Sequence, residues 1–249
     1  PGVASAAVVE PASQAAGRLI SERTIMRICI STANFGQIDH DDRAHQVQSV
    51  PAGWTVDYRI FDERVMPART QAMHPRLQAK IPRCLGHELS PGYDYYVWID
   101  GSIVLTHSLS LLWLVSHCES HDIALLCHPH RSSISSELAY CQSLMASGDA
   151  RALARYANEP MEEQVRGYLA DPTFRDEWLF ATGVFAYSRG LIDGPRGSLM
   201  SDWFYHCARH SVQDQLSLPY LLHRHGVVFR AIDMDIFNNP YFRYVGHRP

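Results

Sequence analysis

The stretch Tyr93-Asp94-Tyr95-Tyr96-Val97-Trp98-Ile99-Asp100-Gly101-Ser102 constrains the fold of this chain more than any other. Its core, residues 95–99, is aromatic and β-branched, which is typical of a strand buried on both faces. The run stops at Asp100-Gly101. In an open α/β sheet, ligands bind beyond the carboxyl ends of the strands. A carboxylate there, beside a glycine that permits close backbone approach, indicates a metal or phosphate site. A simple Asp-Gly turn explains the same residues without a ligand.

Predicted strands and helices alternate along the rest of the chain. The apolar pattern indicates further strands at residues 24–31, 54–62, 122–127, 178–188 and 226–232, with helical segments between most of them. Strands that alternate with helices favour a parallel sheet covered by helices. We therefore predict a single α/β domain over residues 24–249, with a mostly parallel central sheet flanked by helices. Residues 1–23 are expected to form a flexible leader.

Composition argues against several classes of protein. Hydrophobic residues make up 46% of the 249 residues, which suits one globular domain with a substantial core. A formal net charge of -4 gives no electrostatic reason to expect nucleic acid as a partner. The longest apolar run, residues 109–115, is too short for an integral membrane segment. Scattered cysteines without Cys-x-x-Cys spacing predict reduced thiols and a cytoplasmic protein.

The loop after the first predicted strand is a candidate nucleotide contact. It contains Thr32, Asn34, Phe35 and Gly36, a short polar segment of the kind with which nucleotide-binding α/β domains begin. The Gly-x-Gly-x-x-Gly pattern is absent, so the signal is not specific.

A basic segment follows, with candidate phosphate ligands at Arg69, Arg76 and Lys80. If Pro75 begins a helix, Arg76 and Lys80 stand four residues apart on one face. A basic face directed at the end of the Asp100 strand can bind a diphosphate. A solvated helix face explains the same spacing.

Polar residues also follow the predicted strand at 122–127. His128, His130 and Arg131 stand there, and the proline between the histidines separates them too widely for a zinc site without a third ligand. We expect these side chains to contact a substrate, unless they only form a structural turn. Thr182-Gly183, near the start of another predicted strand, marks a place where a ligand or another segment of backbone comes close.

Asp214 and Gln215 lie at a predicted helix start, where two interpretations compete. With Ser211 as the cap, Asp214 occupies the capping-box position, and capping alone accounts for it. If Asp214 instead serves catalysis, we expect Asp214→Asn to abolish activity and to leave the melting temperature nearly unchanged.

Taken together, these residues resemble the glycosyltransferase-like family known as domain of unknown function 616. The similarity covers roughly residues 24–222. The matching segments are Pro67-Ala68-Arg69, Lys80-Ile81-Pro82, Tyr93 to Ser102, His128-Pro129-His130-Arg131 with Glu137, Thr182-Gly183, and Ser211 to Ser217 around Asp214-Gln215. Plant members of the family include a mucilage-related glycosyltransferase and a protein reported as an alkaline ceramidase.

The resemblance implies the GT-A fold of nucleotide-sugar transferases. In that fold an Asp-x-Asp at the end of a central strand holds a divalent cation, Mn²⁺ or Mg²⁺, on the donor diphosphate. Here the segment reads Asp100-Gly101-Ser102, so the second carboxylate is missing. The resemblance assigns the cation to Asp100, Ser102 and a C-terminal histidine, His247, and leaves cation dependence open.

The resemblance also distributes roles over the other candidates. Catalysis falls to Asp214, Gln215 and Glu137, where the two acids act as a base or stabilise an oxocarbenium-like centre. The resemblance assigns binding of the nucleotide-sugar donor to the loop at 32–36, to the basic residues Arg69, Arg76 and Lys80, and to the turn at 100–102. The remaining candidates for sugar or acceptor contacts are His128, His130, Arg131, Thr182 and Gly183.

We therefore expect a glycosyltransferase that moves a sugar from a nucleotide-sugar donor, UDP-linked, to a hydroxyl of a glycan or small-molecule acceptor. Retention of configuration is favoured. A ceramidase-like amide hydrolase is one alternative, although neither Gly-x-Ser-x-Gly nor His-Glu-x-x-His is present. A nucleotide- or carbohydrate-binding domain without turnover is the other, because Ser102 replaces the second aspartate.

Overall fold

The computed structural model describes residues 25–39, 45–66 and 73–247. The strands are β1 (Met26–Ala33), β2 (Trp54–Phe61), β3 (Tyr95–Ile99), β4 (Ile103–Leu105), β5 (Ile123–Cys127), β6 (Phe180–Ser188), β7 (Phe229–Ile232) and β8 (Phe242–Tyr244). The helices are α1 (Pro75–Leu89), α2 (Ser110–Ser116), α3 (Ile134–Ala146), α4 (Ala150–Tyr156), α5 (Met161–Leu169), α6 (Arg189–Asp193), α7 (Leu199–Arg209) and α8 (Asp214–His225). The predicted leader and Arg69 lie outside the described residues. Among these helices, none has the length and apolar character needed to cross a lipid bilayer.

In the described chain, six strands form one sheet in the order β2-β1-β3-β6-β5-β7. β1 is parallel to β2 and β3, and β5 is parallel to β7. β6 runs antiparallel to both of its neighbours, β3 and β5. All strands of this sheet except β6 therefore point the same way. The prediction of an α/β domain with a mostly parallel central sheet flanked by helices is confirmed.

β3 is the buried central strand that the sequence predicted, with all of its residues in the core. Its alternating side chains send Val97 and Ile99 into an apolar cluster on one face. Tyr96 and Trp98 enter the cluster on the other face. The strand ends at Ile99, and the Asp100 carboxylate that follows it is bound by Arg83 and by the indole of Trp98.

One edge of the sheet collects several predicted site residues. β1 and β3 run side by side to their carboxyl ends at this edge. Because β6 is antiparallel, it begins there, and the carbonyl of Gly183 accepts a hydrogen bond of 2.7 Å from the amide of Asp100. β5 ends beside the start of β6. Asp100, His128 and Thr182 therefore lie at the same edge, where α/β sheets bind their ligands.

A third apolar cluster joins the helices that cover this edge. It contains Ile134 of α3, Met161 and Val165 of α5 and Leu216 of α8, and all four are buried. Burial of these side chains fixes the first turn of α8, which begins at Asp214, relative to α3 and α5.

The C-terminal segment returns to the Asp100 turn. β4 follows that turn directly and pairs with β8 in an antiparallel ribbon, with Ile103 opposite Tyr244. The amide of Val245 then donates to the carbonyl of Ser102 at 2.8 Å. This pairing brings His247 beside the turn, although β4 and β8 are only three residues long and were not predicted.

Candidate active site

The candidate site begins with two cations on α1. Lys80 and Arg83 stand three residues apart, so they share one face of the helix. Both are buried, and both bind Asp214 in the first turn of α8. Lys80 Nζ lies 2.8 Å from Oδ2 of Asp214, and Nη1 of Arg83 donates to the same oxygen. Buried charges are tolerated only when they are paired, so this contact fixes α1 against α8.

Asp214 is not a helix cap. Gln213 is the N-cap residue, and no side chain caps the helix. Ser211, the predicted cap, donates to Oε1 of Gln164 at 2.7 Å, so that expectation is wrong. Besides the two cations of α1, Asp214 accepts a hydrogen bond of 3.1 Å from the hydroxyl of Thr182. The carboxylate therefore serves the contacts across α1, β6 and α8 rather than the helix end.

The two cations keep Asp214 ionised. Burial alone would raise its pKa, but the charges of Arg83 and Lys80 outweigh burial and lower the pKa to about 2. Burial alone would likewise lower the pKa of Arg83, yet Asp100 and Asp214 hold it above its ordinary value. Asp214 therefore carries no proton at neutral pH and is unsuited to general acid catalysis.

Arg83 also links Asp214 to Asp100. Its Nη2 donates to Oδ1 of Asp100, which accepts a second hydrogen bond of 2.8 Å from the indole of Trp98. The guanidinium lies over that indole, 5.1 Å from the ring centroid. The Asp100 side chain is 33% exposed and that of Asp214 only 3%, so Asp100 is the carboxylate more open to a ligand.

Glycine at position 183 leaves the space that Asp100 needs. A Cβ on Gly183 would lie 3.3 Å from Oδ2 of Asp100 and 3.0 Å from the side chain of Ile103. Gly183 therefore leaves room for the side chains of Asp100 and Ile103, and the expected close approach of a ligand stays a prediction.

A second network contains Glu137, in the first turn of α3. Its Oε2 lies 2.5 Å from Nε of Arg131, and its Oε1 accepts a hydrogen bond of 2.5 Å from Gln213. The same amide donates to Oε1 of Gln215 at 2.8 Å, and Gln215 donates to the carbonyl of Phe180 at 2.7 Å. Gln213 therefore joins the two candidate catalytic residues Glu137 and Gln215.

His128 belongs to this second network, and His130 does not. Nη2 of Arg131 donates to Nε2 of His128 at 2.9 Å, and its guanidinium lies 4.0 Å from the ring centroid of Tyr140. Burial, followed by the charge of Arg131, lowers the pKa of His128 to about 4, so this imidazole is neutral at physiological pH. His130 is exposed and lies outside the cleft described next.

Both networks form the wall of a cleft of about 610 Å³. The predicted site residues that line it are Lys80, Asp100, Ser102, His128, Arg131, Glu137, Thr182, Gly183, Asp214, Gln215 and His247. These residues come from distant parts of the sequence, and the fold brings them together. Their individual roles stay predictions.

The predicted nucleotide loop does not line this cleft. Thr32 and Asn34 are buried, and Phe35 packs in the apolar core, so its ring is not free to stack on a base. Gly36 adopts φ +72° and donates its amide to Glu63 at 2.6 Å. This loop lies at the correct edge of the sheet, but its side chains serve the fold. Arg76 also lies outside the cleft lining.

Gly101 is required because Asp39 fills the space beside it. A Cβ on Gly101 would lie 1.9 Å from Oδ2 of Asp39 and 2.9 Å from the carbonyl of Ala33. Asn34 holds Asp39 in place, since its Oδ1 accepts the amide of Asp39 at 2.9 Å. Oδ1 of Asp39 in turn lies 2.7 Å from Nδ1 of His247. A carboxylate and an imidazole therefore meet beside the Asp100 turn.

These groups fit a divalent cation in their chemistry. Asp39 offers a carboxylate, His247 an imidazole and Ser102 a hydroxyl. Among the described residues, no three His, Cys, Asp or Glu side chains form a complete metal site. Mg²⁺ needs no such cage, because one or two carboxylates, substrate phosphates and water commonly complete its shell. Asp100 is less suited than predicted, because Arg83 and Trp98 already bind its Oδ1.

Sequence reasoning missed Arg83, Gln213 and Asp39. The spacing of Arg83, three residues after Lys80, was a usable signal for a shared helix face. Gln213 and Asp39 gave no such signal, since neither lies in a periodic segment and each finds its partner only in the folded chain.

Comparison with known proteins identifies a family, and it finds solved structures of similar fold, one of which is described here. A family model described as TOD1/MUCI70, glycosyltransferase-like domain, matches residues 64–247. The crystal structure of mouse xyloside xylosyltransferase 1 in its apo form aligns with a TM-score of 0.46 and 10% sequence identity. The alignment covers 83% of this chain and 85% of that chain. A search of curated proteins found no significant match.

Proposed function

Because the chain belongs to the TOD1/MUCI70 family of glycosyltransferase-like domains, we propose that it transfers a sugar from a UDP-linked donor to a hydroxyl group. The acceptor is a glycan or a small molecule. The observation that carries this proposal is the buried cation pair Lys80 and Arg83, held between Asp100 and Asp214 at the wall of the cleft.

The reaction breaks the bond between the anomeric carbon and the diphosphate oxygen, and it forms a bond to the acceptor oxygen. Hydrogen-bond donors that are held in place in a site without water stabilise the negative charge that develops on the leaving oxygen. Nε of Arg83 is buried and has no hydrogen-bond partner in the described chain. This buried N–H group without a partner supports a role for Arg83 in binding the diphosphate or the sugar of the UDP-linked donor.

Asp214 acts as a positioning residue in this scheme. It remains ionised, and its oxygens hold Lys80, Arg83 and Thr182 in one orientation.

The state of the cleft carboxylates supports retention of configuration as part of this proposal. Asp100, Glu137 and Asp214 are ion-paired, and Asp149 accepts the amide of Ala152 as the cap of α4. These are the carboxylates that line the cleft within the described residues, and each of them already has a protein partner. We infer that the acceptor proton passes to the leaving diphosphate on the same face of the sugar. Nuclear magnetic resonance of the product anomer tests this inference.

A divalent cation completes the proposed donor site. Lys80 and Arg83 are offset by Asp100 and Asp214, so these four groups carry no net charge for the diphosphate. Asp39, His247 and Ser102 would hold the cation. When bound, it supplies positive charge that offsets the leaving diphosphate.

The sugar and the acceptor are placed along the rest of the cleft. Thr182 and Gly183 border Asp100 and Asp214, so we place the donor sugar against them. Arg131 and the neutral His128 stand on the Glu137 side, where we place the acceptor hydroxyl. His130, which is exposed, has no part in this arrangement.

A cytoplasmic location is also part of the proposal. It is supported by six unpaired cysteine thiols, five of them buried. Fractionation of the source cells tests it, and recovery of the protein outside the cytoplasm would contradict it.

A screen of UDP-, GDP- and CMP-sugars with and without Mn²⁺ tests the proposed function. The measurements are the melting temperature and the slow release of nucleotide by donor hydrolysis. We expect UDP-sugars to stabilise the protein and to be hydrolysed. Stabilisation without hydrolysis supports instead a binding domain without turnover, the second candidate, which the missing carboxylate at Ser102 favours. No stabilisation by any nucleotide contradicts both.

A further inference from the structure

Helix α4 brings two arginines to the cleft that have no carboxylate partner. Arg151 and Arg155 stand four residues apart on one face of α4, and both line the cleft. Neither forms an ion pair with any residue that the structure describes. The other cleft cations, Lys80, Arg83 and Arg131, are each bound to a carboxylate. The two arginines of α4, which are exposed, are therefore the cleft cations that pair with no carboxylate of the described chain, and the cleft also holds Asp149, a carboxylate bound to the amide of Ala152.

A third guanidinium, that of Arg76 on α1, is a neighbour of Arg155. Burial, followed by the charge of Arg155, lowers the pKa of Arg76 to about 10. Nη1 of Arg76 is buried and finds no hydrogen-bond partner in the described chain. Glu159 is a nearby carboxylate, but its Oε2 accepts the amide of Val212 at 2.9 Å. An anion near Arg155 would relieve the repulsion between the two guanidiniums.

We propose that Arg151 and Arg155 bind a carboxylate or phosphate group carried by the acceptor. The inference rests on the proposed function and names the chemical class of its acceptor, which is an acidic sugar or a sugar phosphate. Guanidinium groups suit this role because they pair with planar carboxylates and with phosphates through two parallel hydrogen bonds.

The position of α4 favours the acceptor over the donor as the source of the anion. Lys80, Arg83 and Asp100 stand near the strand ends, where the donor diphosphate is placed. α4 instead packs on α3, in the helical layer. Tyr140 lines the same cleft and is 44% exposed, so it offers a polar tip and part of a ring to a sugar.

The test compares the affinities of D-glucuronate, D-glucose 6-phosphate and D-glucose in the presence of saturating UDP, which fills the donor site. Saturation-transfer nuclear magnetic resonance gives the three dissociation constants. We expect the wild-type protein to bind at least one acidic sugar about tenfold or more tightly than glucose, the effect of one charge-assisted hydrogen bond. The Arg151→Gln/Arg155→Gln variant should bind all three sugars with nearly equal affinity.

A matched control variant, Arg166→Gln/Arg209→Gln, removes two exposed arginines outside the cleft and should keep the preference for acidic sugars.

Calorimetry with UDP distinguishes the source of the anion. An unchanged UDP affinity in Arg151→Gln/Arg155→Gln supports an acceptor site, and a large loss shows that these arginines bind the donor diphosphate and overturns the proposal. The proposal is also overturned if the wild-type protein binds acidic sugars no more tightly than glucose. It is overturned as well if Arg151→Gln/Arg155→Gln keeps the preference for acidic sugars. Failure of the proposed function would appear separately, as a wild-type protein that binds no UDP.

Discussion

Lys80 and Asp214 lie 134 positions apart in the sequence and form a buried ion pair of 2.8 Å. The contact joins α1 to the first turn of α8. Arg83 binds the same carboxylate oxygen, so one face of α1 and the first turn of α8 together form one wall of the cleft. The pair therefore stabilises the fold and shapes the candidate site together.

The first prediction concerns the stability of Asp214→Asn. The variant leaves Lys80 and Arg83 buried with one carboxylate fewer, so we expect a loss of about 3–5 kcal/mol in the free energy of unfolding. This revises the expectation from the sequence, which was a nearly unchanged melting temperature. Urea denaturation measures the loss. The control is Asp193→Asn, whose side chain is 61% exposed and should change stability little. A fully stable Asp214→Asn protein would contradict the buried ion pair.

The second prediction concerns the loss of stability at acidic pH. The pKa of Asp214 falls from 3.8 to about 2 on folding. A carboxylate with a lowered folded-state pKa contributes stability above its unfolded pKa and loses that stability as the pH falls through the folded value. Wild-type protein should therefore lose about 2 kcal/mol more than Asp214→Asn between pH 4 and pH 2. Unfolding curves of both proteins across this range measure the difference, and parallel curves would show that Asp214 is not paired.

The third prediction concerns Gly101→Ala. The new methyl group would overlap Oδ2 of Asp39, so the loop after β1 must move away from His247. We expect a cost of about 1–3 kcal/mol in stability and weaker binding of UDP with Mn²⁺. Gly167→Ala is the matched control, because no atom lies within 4 Å of its Cβ position on α5. That control should be neutral or slightly stabilising, and equal behaviour of the two variants would contradict the role of Gly101.

The fourth prediction concerns the cation. Asp39→Asn removes the carboxylate that stands beside His247 and Gly101. We expect Mn²⁺ to bind the wild-type protein in the presence of UDP and to bind the variant about tenfold or more weakly. A loss of this size is typical when a residue that supports a metal ligand is removed. Electron paramagnetic resonance of free Mn²⁺ measures both affinities without relying on turnover. Equal affinities would remove Asp39 from the proposed donor site.

The parts of the fold that the sequence predicted are those with strong local signals. Residues 95–99 read as a doubly buried strand because every side chain there is apolar or aromatic, and Asp100 marks its end. The three-residue strands β4 and β8 gave no such signal, since their pairing joins segments more than 130 residues apart. The sequence therefore predicted the strand end at Asp100, whereas the antiparallel direction of β6, which brings Thr182 to the same edge, was not predicted.

The contacts within the site could not be predicted in the same way. Capping was one of two interpretations of Asp214, because local spacing cannot show a partner on another helix. Phe35 lies in the predicted loop, but its aromatic ring enters the core and not the cleft. Asp39 meets His247 beside Gly101 only after β1, β3 and the C-terminal segment have come together. Such contacts depend on the register of distant strands, which a single sequence does not reveal.

The central claim is that Lys80 and Arg83 recognise the diphosphate of a UDP-linked donor, and calorimetric titration of UDP and of uridine tests it most directly. Comparing the two ligands isolates the diphosphate, and Arg83→Lys keeps the charge while removing the planar group that bridges Asp100 and Asp214. The account predicts that the wild-type protein binds UDP about 100-fold or more tightly than uridine and that Arg83→Lys loses most of this difference. Equal affinities for UDP and uridine in the wild-type protein, or an undiminished difference in Arg83→Lys, would contradict it.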